Sequence, residues 1–335
     1  MSHSCYNYSL PQHSYIIAAM LMVGSLFAYS SEYTAAEKSA DSLQIVTTIF
    51  PEYDWVKQIL GDNPADAQVT MLLDNGVDLH SYQPTAEDIL KISTCDLFIY
   101  VGGESDEWVE DALQEATNKD MVVINLLDVL GDKVKEEELV EGMEGEEEDE
   151  EGDDEEPEYD EHVWLSLRNA SILCERIADA LTSVDAKHGD VYESNVIAYK
   201  DKLSALDTKY ENAVSNGSVN TLLFGDRFPF RYLVDDYGLD YFAAFVGCSA
   251  ETEASFETII FLAQKVNELS LPCIMTIEGT DHKIAETIVQ NTETKDQKIL
   301  TIDSMQSTTA RDVQNGTTYL SLMESNLEVL KEALQ

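Results

Sequence analysis

The chain has 335 residues, 44% of them apolar, with 65 Asp and Glu against 20 Lys and Arg and a formal charge of -45 at pH 7. That length and apolar share support a large buried core and two domains rather than one, which excludes a chain disordered throughout. The acidity is global: 18 acidic residues lie between Glu136 and Glu161, and 45 less 18 still leaves 27 net negative charges. Such a surface repels nucleic acid and anionic lipid and attracts cations and basic partner faces. The five cysteines, Cys5, Cys95, Cys174, Cys248 and Cys273, form no CxxC pair, and their odd number argues against a disulfide framework. Cys95, Cys174 and Cys273 stand in apolar segments and read as small core residues.

In chain order, Tyr15 to Ala28 is an uncharged apolar run of 14 residues. It falls short of the roughly 20 residues a bilayer span needs but suits the apolar centre of an export signal. Residues 1–36 are therefore expected to be a signal segment, atypical because no Lys or Arg precedes Lys38. No cysteine follows the run to carry a lipid anchor. From Leu43 short apolar runs alternate with amphipathic stretches. "LQIVTTIF" reads as a strand, "EYDWVKQILG" as a helix ending at Gly61, and "AQVTMLL" as a second strand. "PTAEDILKIS" reads as a helix capped by Thr85, with Asp88 completing a variant capping box. "DLFIYVG", "DEWVEDALQEA" and "MVVINLL" continue as strand, helix and strand.

The acidic loop of residues 136–161 follows, and its composition reads either as a solvated tether or as a cluster of carboxylates that raises the local cation concentration near the cleft. Residues 162–217 then hold "HVWLS" and about 45 residues of helical spacing, one long helix or a broken pair. "NTLLFG", "LDYFAAF", "PCIMTIEG" and "QKILTID" resume the strands, with helices between them and a closing helix in "TYLSLMESNLEVLKEALQ". The expected fold is α/β: two doubly wound lobes with parallel sheets, residues 37–135 and 218–335, joined by one long backbone helix.

In open α/β sheets ligands bind at the carboxyl ends of strands, here the cleft between lobes. Four polar residues fall there: His80 after "QVTMLL", His162 before the long helix, Asp226 after "NTLLFG" and Asp303 after "QKILTI". Two imidazoles and two carboxylates make a four-coordinate site for a borderline divalent cation. Taken singly, a loop histidine is more often a surface or capping residue and a strand-end Asp more often an N-cap. His3 and His13 fall in the signal segment, and His188 and His282 on helical stretches. No HExxH or GxSxG supports a metallohydrolase, and no DxDxDG supports an EF-hand.

"PTAEDILKISTCDLFIYVGGESDEWVEDAL", an acidic insertion, "EHVWLSLRNA", "SAETEAS" and "TYLSLMESNLEVLKEAL" occur in an order that resembles the zinc/manganese ABC-transporter solute-binding proteins, over about residues 43–335. The resemblance implies metal ligands at His80, in the loop before "PT", at His162 of an "HVWLSP"-like motif in which Leu167 replaces proline, and at Asp303. The family's third ligand, His or Glu, stands three residues before the phenylalanine of FxYF, which here is Arg227. Arginine has no lone pair to offer, so Asp226 is the expected substitute, with Glu251 or water as the alternative. The acidic loop takes the place of a variable, often His-rich loop in zinc-type relatives.

The implied function is a non-enzymatic one. An exported, monomeric receptor, extracellular or periplasmic, captures zinc and presents it to a membrane permease with its ATPase. Manganese is the alternative cargo and a metal-binding adhesin the alternative role. Affinity is expected to fall as pH drops through the imidazole range near about 6.5. Trp164 is expected to anchor the segment that holds His162.

Overall fold

The computed structural model describes residues 42–144, 158–249 and 253–335. The expected signal segment, the centre of the acidic loop and Glu251 lie outside the described residues. The first sheet holds β1 (Gln44–Thr47), β2 (Gln68–Met71), β3 (Leu97–Tyr100) and β4 (Val122–Asn125), all parallel in the order β2-β1-β3-β4. Between them run α1 (Phe50–Leu60), α2 (Ala86–Thr94) and α3 (Trp108–Gln114), with a short α4 (Leu126–Leu130) after β4. Thr85 caps α2 and Asp88 returns the bond, as the sequence predicts.

Two helices follow, α5 (Leu167–Val184) and α6 (Gly189–Ser215), which pack on each other. Of the two readings of this stretch, the broken pair is the one observed, and its second member α6 is the long backbone helix. The break lies at Asp185, whose carboxylate accepts bonds from the Tyr192 hydroxyl (2.5 Å) and lies 2.6 Å from His188 Nδ1. Such local bonding competes with continued helix. At about 1.5 Å per residue, the 27 residues of α6 still run some 40 Å.

The second sheet holds β5 (Thr221–Phe228), β6 (Asp240–Val246), β7 (Cys273–Ile277) and β8 (Lys298–Ile302), parallel in the order β6-β5-β7-β8. Its helices are α7 (Arg231–Tyr237), α8 (Phe256–Leu269), α9 (Lys283–Asn291), α10 (Ala310–Gln314) and the closing α11 (Tyr319–Ala333). β5 runs three residues beyond the expected strand, with a register shift between Phe224 and Arg227. Asp226 therefore lies within a strand and not after one.

The larger of two apolar cores crosses both lobes, from Ile45, Trp55 and Leu97 through Trp164 and Leu203 to Phe224 and Leu330, and a second lies within the C-terminal lobe around Leu223, Phe245, Leu262 and Ile288. Cys95, Cys174 and Cys273 belong to the larger core. Tyr319 fastens it: its backbone N–H donates to Asp54 (3.0 Å), its hydroxyl donates to the Trp164 carbonyl (2.7 Å), and its ring meets Trp55 edge-on. The described stems of the acidic run are ordered. Glu136 bridges Tyr159, and Glu144 joins the edge of β6 at Phe245. Among the described residues no helix is long and apolar enough to cross a membrane.

Candidate metal centre

His80 sits in a single 3-10 turn, Leu79–Ser81, that Asp78 caps by accepting the His80 backbone N–H (3.0 Å) while Leu79 is buried beneath it. This aims the imidazole into the cleft. Its Nδ1 lies 2.7 Å from Ser105 Oγ and 3.5 Å from Glu161 Oε2. His162 is fully buried just before the turn Val163–Leu165. Asp160 Oδ1 accepts both the His162 backbone N–H (2.8 Å) and its Nδ1–H (3.0 Å). Because a carboxylate only accepts, the proton belongs on Nδ1 and the lone pair on Nε2. Trp164 is buried as expected, and its indole N–H donates to the Ser304 carbonyl (2.9 Å).

The two Nε2 atoms face each other at 3.3 Å. Zinc–nitrogen bonds of about 2.0–2.1 Å in a tetrahedron place two nitrogens about 3.3–3.4 Å apart, so the pair already has the spacing of two ligands on one ion. Burial, with the neighbouring His162 and Arg227 outweighing Asp78, holds the His80 pKa down to about 3. The expectation that acid weakens binding near pH 6.5 therefore loses His80 as a cause, because its ring is already neutral there.

The third member of the group is Cys248. Among the described residues, one donor atom each from His80, His162 and Cys248 lie within 4.8 Å of one another. Cys248 follows the end of β6, and its backbone N–H donates to Glu137 Oε1 (3.2 Å). Gly247 lets this turn close on the imidazole: a Cβ there would stand 2.9 Å from the Phe228 carbonyl oxygen and 3.1 Å from His162 Cε1. Burial and the carboxylates of Glu137, Asp160 and Glu161 push the Cys248 thiol far up.

Asp226 and Asp303 lie outside this group. Asp226 accepts from the backbone N–H of Arg227 (3.0 Å) and Ile277 (3.3 Å) and from the Thr280 hydroxyl (2.8 Å), so its carboxylate ties β5 to β7. Asp303 accepts the Met305 backbone N–H (2.7 Å), and burial with the neighbouring Glu278 raises its pKa to about 7. Arg227, at the position of the family's third ligand, pairs across the cleft with Asp78. Burial pushes the Asp78 carboxyl up, but Arg227 and His80 more than offset it and hold it below the usual range. With its amide nitrogen toward Asp78, Gln306 donates to both carboxylate oxygens (2.9 Å each).

The structure brings the two expected histidines together and sets beside them Asp78, Ser105, Asp160, Glu161, Gln306 and Cys248, which the sequence did not single out. Asp160 and Glu161 close the acidic run but are 3% and 2% exposed, so composition hid them among solvated carboxylates. The strand-end rule that selected Asp303 would also have selected Cys248.

Two parallel α/β lobes with two imidazoles converging from cleft loops define a two-lobed cation-binding protein. The family described as zinc-uptake complex component A, periplasmic, matches residues 45–333, and the chain belongs to it. It is 32% identical over 315 residues to the zinc-binding lipoprotein AdcA of Streptococcus pneumoniae serotype 4, covering 93% of this chain and 60% of that protein. The chain thus spans about 60% of the length of that relative. It is 29% identical over 322 residues to the high-affinity zinc uptake system protein ZnuA of Bacillus subtilis, covering 96% of each. The solved Zn(II)-bound ZnuA-like domain of S. pneumoniae AdcA superposes with a TM-score of 0.67 at 29% identity, over 88% of this chain and 99% of that one.

Proposed function

We propose that the chain captures a divalent zinc ion between its lobes and delivers it to the permease of an ATP-driven importer on the outer side of a membrane. The observation that carries this reading is the pair of Nε2 atoms 3.3 Å apart, each on a ring whose Nδ1 is held by a neighbour. Imidazoles so oriented are ready ligands that need little reorganisation, and nitrogen favours zinc over manganese. The names of the relatives, a zinc-binding lipoprotein and a zinc-uptake protein, agree with it. The role is binding and release, with no turnover, and the surplus of carboxylates over the rest of the surface draws cations toward the cleft.

Calorimetric titration of the metal-stripped full chain with zinc and with manganese tests this. One zinc per chain is expected, with manganese weaker and zinc binding lost in His80→Ala and in His162→Ala. Undiminished one-to-one zinc binding in the double variant would overturn the reading.

A further inference from the structure

We propose that Cys248 is the third metal donor, completing with His80 and His162 a two-nitrogen, one-thiolate site that selects zinc over manganese. This rests on the reading that the cleft binds a transition metal. The second lobe must contribute a ligand if the ion is to sit between lobes; of the residues expected to do so, Arg227 and Asp226 are engaged otherwise, Asp303 lies outside the group of donors, and Glu251 lies outside the described residues. Arg227 cannot ligate and is paired with Asp78. Asp226 is engaged by two backbone N–H groups and a hydroxyl. Cys248 is the donor from that lobe that falls in the group with both imidazoles.

Its placement is built. The turn lies against His162 because Gly247 has no side chain, and Glu137 holds the Cys248 backbone N–H and accepts from its thiol, a bond that metal binding replaces. Tetrahedral zinc with a Zn–S bond of about 2.3 Å calls for an N to S separation of about 3.6 Å. With the donor atoms within 4.8 Å of one another, the sulfur lies at most about 1.2 Å beyond that separation from one nitrogen of each ring, a gap within reach of a side-chain rotation. On binding, the S–H bond breaks, a sulfur–zinc bond forms, and the proton leaves to solvent; no electron is transferred. A thiolate suits borderline zinc and disfavours the harder manganese ion.

Cobalt(II) is the probe, added to the metal-stripped full chain. The wild type should develop a near-ultraviolet sulfur-to-cobalt charge-transfer band, and Cys248→Ser should abolish that band. Zinc affinity in Cys248→Ser should fall by more than about 100-fold, beyond the range for loss of an orienting neighbour, and its preference for zinc over manganese should narrow. A second measurement needs no variant: zinc should protect Cys248 of the wild type from alkylation, read by mass spectrometry. Cobalt binding without the band, a band that survives Cys248→Ser, or alkylation indifferent to zinc would each overturn the assignment while leaving metal capture intact. A wild type that binds neither zinc nor cobalt would overturn both.

Discussion

The two histidines sit in cleft turns, whereas Asp226 lies within β5 and Asp303 just after β8, and the surroundings use the two pairs differently. Each histidine spends one ring nitrogen on a neighbour and turns the other into the cleft. Asp226 spends both oxygens on its own lobe, and Asp303 accepts a backbone N–H two residues on. Of the two aspartates, Asp226 is the one whose oxygens are both taken up by the groups around it.

The sharpest way to break this contrast is His162→Ala, which should reduce zinc affinity by more than about 100-fold in a competition titration, more than loss of any group that merely orients a ligand. Asp160→Asn keeps the ring but removes the charge that holds Nδ1–H, and should cost about 10- to 100-fold in the same assay. A stability measurement addresses a carboxyl that serves neither role. Burial, with the nearby Glu161 carboxylate, raises the Asp106 pKa to about 7. The folded chain then holds more proton than the unfolded chain between about pH 4 and 7, so Asp106 costs stability as pH rises through that window. Asp106→Asn should remove that decline and gain on the order of 2 kcal/mol at pH 8, seen in urea unfolding of metal-free protein. The smallest expected effect on zinc belongs to Asp226→Asn: affinity unchanged within the error of the titration, with stability lower by about 1–3 kcal/mol for the unmet N–H groups of β7 and its neighbours. A large affinity loss there would erase the distinction between the two pairs.

Much of the fold was legible. The eight strands and the main helices follow from apolar runs alternating with 3.6-period stretches, and the Thr85 cap from its Asp88 partner. The break at Asp185 was not, because a Tyr192 hydroxyl and a His188 ring competing for one carboxylate leave no periodic signal. The bulge that carries β5 past Asp226 also escaped, since strand length beyond the apolar run is set by pairing with β6. At the site, the histidines were legible because few others compete for attention in cleft loops. Asp160 and Glu161 were not, because a buried carboxylate and a solvated one are the same letter.

The core that passes without interruption through both lobes has a consequence for how cargo occupancy can be read. Under the proposed zinc capture, an ion held in the cleft stabilises the folded chain by about 4.1 kcal/mol when free zinc stands at a thousand times its dissociation constant. The melting temperature then becomes a gauge of loading, and a thermal shift in crude extract would report how full the receptor is without any transport being measured.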